Sequence, residues 1–143
     1  MRHLATVLLC VIGANAVTKL QAIFQEHALK RGSECLSEGI GATMDDLKAI
    51  VRHDIPTTRA GMCLITCIHE KFGVQEPDGK ISKEGFMAFL EQIKDDPAYY
   101  DVTKEHFLHC IETVPQDDEK CTIGTNLMSC LVLGGRKKNI FHE

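Results

Sequence analysis

Six cysteines behind a short apolar leader constrain this chain more than any other feature. Met1-Arg2-His3 is a basic start, Leu4 to Ile12 is almost continuously apolar, and Gly13-Ala14-Asn15-Ala16 ends in an Ala-x-Ala pattern before Val17. That order of charge, apolar core and small residues is the order of a secretory signal peptide, which places it at residues 1–16. A membrane-anchor reading fails on length, because a bilayer span needs roughly 20 apolar residues. The expectation is a secreted, extracellular protein with no membrane partner. Removal of the leader takes Cys10 with it and leaves Cys35, Cys63, Cys67, Cys110, Cys121 and Cys130. An even set of cysteines in an oxidising compartment reads as three disulfides.

Residues 17–143 have the length of one domain, and a chain of this size buries roughly two-thirds of its unfolded surface. The formal net charge of the whole sequence is −4, and without a basic patch nothing calls for nucleic acid. The apolar spacing is helical from end to end. Leu20, Ile23, Phe24 and Ala28 share one face of a first helix. Thr43 is a good N-cap, with Asp45 and Asp46 in the positive first turn and the stripe Met44, Leu47, Ile50, Val51 behind it. After Pro56, Thr57 or Thr58 can cap a third helix carrying Cys63, Leu64, Cys67, Ile68 and Phe72. Residues 73–80 are a turn-rich loop. Ser82 caps a fourth helix with Phe86, Phe89, Leu90 and Ile93 at helical spacing, which Asp95-Asp96-Pro97 stops. Thr103 opens a fifth helix with Phe107, Cys110, Ile111 and Val114, closed by Pro115. A last helix is expected from about Asp118 to Leu133, broken by Gly134-Gly135, with 134–143 as a C-terminal tail. The fold class is therefore all-α: one compact bundle of about six helices.

The gaps between the six cysteines are 27, 3, 42, 10 and 8 residues. Cys63 and Cys67 stand one helical turn apart, so their thiols project from the same side of the third helix. A bond between them would strain a regular helix, and each should reach a different element. Cys121 and Cys130 lie on different sides of the last helix and can likewise tie it to two neighbours. Each staple is worth roughly 2–4 kcal/mol. Spacing alone leaves fifteen connectivities open for six cysteines.

The order of one cysteine, a long gap, Cys-x3-Cys, a gap near forty and a closing Cys-x8-Cys resembles the insect odorant-binding protein family, including its pheromone-binding members. Cys67-Ile68-His69-Glu70 and Asp78-Gly79-Lys80-Ile81 look like that family's third helix and following loop. Plant lipid-transfer proteins need adjacent Cys-Cys and Cys-x-Cys pairs, which do not occur here. The resemblance spans the odorant-binding domain, 17–143, and implies the bonds Cys35–Cys67, Cys63–Cys121 and Cys110–Cys130. It implies an apolar cavity that takes up a small hydrophobic, odorant-like ligand in extracellular fluid. The partners beyond that ligand are an olfactory receptor or a second copy of the chain. It places Phe86, Met87 and Leu90 on the cavity wall, and counting from the fourth and sixth cysteines adds Phe107, Leu108, Ile111, Met128 and Leu131. Thirteen residues follow Cys130, too few for the extra C-terminal helix of some moth pheromone carriers. Medium-length members use such a tail as a lid. Ile140 and Phe141 are apolar enough for that task, while Arg136, Lys137 and Lys138 are expected in solvent. His142 and Glu143 suggest how acid could open the lid, since His titrates near pH 6.5.

Other chemistries fail on their own residues. Setting Gly79 at position 6 of a calcium loop puts Val74 at position 1 and Gly85 at position 12, where carboxylates are required. Cys63, Cys67, His69, His106, His109 and Cys110 could hold zinc only as free thiolates, which secretion argues against, so no metal or other cofactor is expected. His106 is instead a residue that could touch ligand. The sequence has no Gly-x-Ser-x-Gly elbow, no His-Glu-x-x-His and no phosphate loop, so no enzyme is expected. The competing function is a secreted helical signalling protein that acts through its surface rather than through a cavity.

Overall fold

Every α-helix among the described residues begins where a side chain can stand in for a missing backbone acceptor. The computed structural model describes residues 18–142; the expected leader, Cys10 and Glu143 lie outside the described residues. Among the described residues the six α-helices are α1 (Lys19–Leu36), α2 (Met44–Val51), α3 (Arg59–Lys71), α4 (Lys83–Leu90), α5 (Pro97–Thr113) and α6 (Lys120–Lys137). Thr18, Thr43, Thr58, Ser82, Asp96 and Glu119 cap them in turn, each accepting a hydrogen bond from a backbone N–H of the first turn. Thr43 goes further: Asp46 returns the bond to the Thr43 N–H at 2.7 Å, completing a capping box. Among the described residues there is no β-strand, only one antiparallel bridge between Gln75 and Ile81.

Three sequence expectations need correction. The fifth helix opens at Pro97, not at Thr103. Proline at the first helical position gives up an N–H that has no intrahelical partner anyway, and Asp96 caps the turn. The Asp-Pro pair that ends one helical segment thus starts the next, across a single 3-10 turn at Glu91–Ile93. Thr103 lies buried inside α5. Second, Met44 does not join the apolar face of α2; it is 44% exposed, while Leu47 and Ile50 are buried.

The third correction concerns Gly134-Gly135, which does not break α6. The helix runs through both glycines to Lys137. A Cβ on Gly134 would collide with the His106 ring of α5, and one on Gly135 with the Phe141 ring. These glycines are contact surfaces, not stops. The stop comes about one turn later: Asn139 adopts φ 57°, its N–H donates to Arg136 O at 3.2 Å, and the Ile140 N–H donates to Gly135 O at 2.8 Å. That pair of bonds is a Schellman motif, with asparagine in the left-handed position more often held by glycine.

α3 makes its most extensive packing against α6, with α1 laid on α2 and α3, and α5 on α6. The disulfides follow the same neighbours: Cys35–Cys67 joins α1 to α3, Cys63–Cys121 joins α3 to α6, and Cys110–Cys130 joins α5 to α6. Two buried apolar clusters result. One gathers Leu90, Ile93, Phe107, Ile111 and Leu127; the other gathers Leu47, Ile50, Leu64, Ile65 and Ile68. Phe72, at the C-terminal end of α3, packs against both.

Candidate functional site: an aromatic cavity

Phenylalanine is the largest purely apolar side chain in this sequence, which has six of them and no tryptophan. All six line one cavity: Phe24 from α1, Phe72 from the end of α3, Phe86 and Phe89 from α4, Phe107 from α5 and Phe141 from the tail. Their rings meet edge to face, Phe86 with Phe107 at 5.4 Å between centroids and Phe72 with Phe89 at 5.5 Å. Leu20, Val74, Met128, Leu131 and Val132 fill the wall between the rings. The cavity has a volume of about 50 Å³.

Of the wall residues expected from sequence, Phe86, Phe107, Met128, Leu131 and Phe141 stand on this cavity. Met87, Leu90, Leu108, Ile111 and Ile140 do not. Leu90, Ile111 and Ile140 are buried in the adjoining core cluster, and Met87 and Leu108 are half-buried against its outside. The reason is helical geometry: Met87 and Leu108 each follow a wall residue by one position and so point about 100° away from it. Leu90 lies near the face of Phe86 but is buried in the core cluster, while its neighbour Phe89 supplies the wall at that level of α4. His106 is also off the wall. Its ring is buried, with Nε2 at 3.1 Å from the carbonyls of Cys130 and Leu131. Burial pushes its pKa down, against the pull of those carbonyls.

The sequence reasoning overlooked the wall contributed by α1, by the end of α3 and by the following loop. It also missed two histidines. His53 follows α2 in the left-handed region, φ 65°, at the equivalent position of a second Schellman motif: its N–H donates to Ile50 O and the Asp54 N–H to Ala49 O. This backbone turn carries the ring between Phe24 and Phe141, with centroids at 5.1 and 4.8 Å. His69 reaches the cavity from α3. The two rings are 3% and 4% exposed. Burial lowers both pKa values to about 4, aided at His53 by the Arg136 charge. Both imidazoles are therefore neutral at pH 7, and among the described residues they are the only wall residues with polar side chains. The six phenylalanines are visible in the sequence, but their convergence is not, and no local signal marks His53 as facing inward.

Arg136 is not in free solvent as expected. It is half-buried and donates through Nη2 to His53 O at 3.3 Å. The tail then doubles back. Ile140 O accepts from Thr18 Oγ1 and Tyr99 Oη, both at 2.9 Å, and Gln21 brackets the His142 backbone with bonds to its O and from its N–H. Glu143 lies outside the described residues, and the His142 side chain is exposed. All six described cysteines are in disulfides, and the Asp78 carboxylate is used locally by the Lys80 N–H at 3.0 Å.

Comparison with known proteins follows the same outline. The profile of the PBP/GOBP family matches residues 18–132. General odorant-binding protein 19d of Drosophila melanogaster is 28% identical over 138 residues, 92% of this chain and 91% of its own length. General odorant-binding protein 28a of the same fly is 31% identical over 91 residues, 62% of this chain and 63% of its own. Among solved structures, the odorant-binding protein dmelOBP28a from Drosophila melanogaster superposes with a TM-score of 0.68 at 27% identity, over 85% of this chain and 98% of that one. A pheromone binding protein from the cockroach Leucophaea maderae, in complex with the fluorescent reporter ANS, superposes at 0.67 with 20% identity, over 83% and 98%.

Proposed function

The chain belongs to the PBP/GOBP family, and from that premise we propose that it is a secreted, non-enzymatic carrier that takes up a small hydrophobic molecule in extracellular fluid and delivers it to an olfactory receptor. The observation that carries this is the convergence of every phenylalanine, from five separate segments, on one apolar cavity. A wall of this kind binds by removing apolar area from water, at roughly 25 cal/mol per Å². It offers no charged group at neutral pH to a reacting substrate. The cavity's volume of about 50 Å³ is small against the roughly 300–1,000 Å³ of ordinary small-molecule sites. Ligand uptake therefore moves the rings apart. The tail carries Phe141 and lies beyond the last helix and the last disulfide; it serves as the lid.

The test is a titration of the disulfide-intact protein with the neutral fluorophore N-phenyl-1-naphthylamine, followed by displacement with odorant-sized molecules. Saturable, one-to-one enhancement reversed by such competitors is the expected result. A protein that acts through its surface would give no saturable enhancement, and that outcome would overturn the carrier function.

A further inference from the structure

Phe72 and Phe89 belong to two spaces at once. Inside, both stand on the aromatic cavity; outside, both stand on a surface groove between α1, the end of α3 and α4. Their rings meet edge to face at 5.5 Å, and both residues are half-buried, whereas Phe86, Phe107 and Phe141 are buried. The pair therefore stands between the cavity and the solvent. It also ends a row of rings, Phe141, His53, Phe24, Phe72 and Phe89, whose neighbouring centroids are between 4.8 and 5.9 Å apart. The tail thus closes one end of the row, and the groove opens at the other. The frame around the pair is fixed: a Cβ on Gly85 of α4 would collide with the carbonyl of Gly73, in the left-handed turn that ends α3. With the two backbones in contact, passage depends on the side chains turning, not on the helices parting.

The groove has a volume of about 370 Å³, so cavity and groove together reach the size of ordinary small-molecule sites, roughly 300–1,000 Å³. Their walls differ in chemistry. The cavity is apolar apart from its two imidazoles, whereas His27, Arg31, Lys71 and Gln92 line the groove, and among the described residues no carboxylate does. Lys71 and Arg31 have partners outside it, Glu38 at 2.6 Å and Glu34 at 3.7 Å, but those carboxylates are 51% and 43% exposed. Ion pairs so open to water are worth little, and the cations exchange them readily for another anion. We infer that groove and cavity form one site for an elongated aliphatic carboxylic acid: its chain passes between Phe72 and Phe89 into the cavity, and its carboxylate stays in the groove with Arg31 and Lys71. The inference rests on the carrier function proposed above and names the ligand class. The opposite orientation would bury the carboxylate among apolar rings without a cation, at high cost. A neutral ester would give the two cations nothing to hold.

Displacement of N-phenyl-1-naphthylamine by decanoate and by methyl decanoate at pH 7 compares one chain with and without the charge. The wild-type protein is expected to bind decanoate about tenfold more tightly, the size of one charge-assisted hydrogen bond. The double variant Arg31→Gln, Lys71→Gln should bring the two Kd values together by weakening decanoate alone. Equal wild-type affinities, a tighter ester, or a preference for decanoate that survives in the double variant would overturn the inference while leaving the carrier function standing. Failure of the fluorophore to bind at all would overturn both. Proton NMR of the wild-type complex reads the path directly. Contacts from the terminal methyl of decanoate to the rings of Phe86 and Phe107, and from the methylene beside its carboxylate to Lys71, are expected. A carboxylate end found against Phe86 or Phe107 would overturn the inference, however tightly decanoate binds.

Discussion

Among single residues, His53 and His69 tie stability to pH. Both have folded pKa values of about 4, against about 6.5 for an unconstrained imidazole. Between those values the unfolded chain binds protons that the folded chain refuses, so acid favours unfolding. The stabilisation is fully present above about pH 6.5 and is lost as the pH falls toward 4. At His53 the Arg136 charge deepens the effect and the Asp54 charge opposes it; at His69 Gln75 opposes burial. His106 contributes in the same direction, with Lys138 and His109 adding to burial. The urea midpoint should drop steadily from pH 7 to pH 4.5 in the wild-type chain. In the double variant His53→Phe, His69→Leu the drop should be clearly smaller. A wild-type midpoint that stays level over this range would contradict the burial of these rings. Ligand binding should weaken in the same window, because a charge on either imidazole disfavours an apolar occupant of the cavity they line.

At the level of elements, α6 and the tail make two claims that helix propensity alone would reverse. Alanine is a better helix former than glycine by about 1 kcal/mol, yet Gly134→Ala and Gly135→Ala should lower the melting temperature. The added methyl groups meet the rings of His106 and Phe141. Asn139→Gly should be neutral or stabilising, since φ 57° suits glycine better than any other residue. A higher melting temperature for Gly134→Ala would show that α5 and α6 are not in such close contact. The tail itself is tested by ending the chain at Lys137. This leaves α6 intact but removes Phe141 from the cavity wall and the bonds to Thr18, Gln21 and Tyr99. Fluorophore affinity should fall at neutral pH; an unchanged Kd would remove the lid from the proposal.

For the molecule as a whole, the staples decide how independent the helices are. Cys110–Cys130 closes a separation of 20 residues, for which the chain-entropy account gives about 3 kcal/mol. It also joins the two helices that supply Phe107, Met128 and Leu131 to the wall. The variant Cys110→Ser, Cys130→Ser should therefore lose both melting temperature and fluorophore affinity. Opening Cys35–Cys67, which joins α1 to α3, should cost similar stability with a smaller loss of affinity. Equal losses of affinity in the two variants would mean that the cavity answers to overall stability rather than to the α5–α6 pair.

Much of this architecture is readable from local chemistry. Helix starts depend on one side chain and the three residues after it, so Thr43 and Ser82 announce α2 and α4 from the sequence alone. Apolar period identifies a buried face for Leu47 and Ile50 in the same way. The cysteine spacing shows that Cys63 and Cys67 leave α3 on one side, and the family pattern supplies their partners. What remained hidden depends on neighbours far away in the chain. A helical face does not tell which of its residues reach a cavity and which pack in the core, so Phe86 and Leu90 look alike until the packing separates them. Gly134-Gly135 reads as a stop until the rings of His106 and Phe141 are seen against it. His53 shows no inward signal at all, because its direction is set by a left-handed turn after α2 and by two rings from opposite ends of the chain. The sequence by itself determined the helical class, the caps of α2 and α4 and the number of staples, since each follows from residues close together in the chain. Only the tertiary structure decided which apolar residues face the cavity and which histidines stand among them, because both are properties of surfaces that meet from distant parts of the chain.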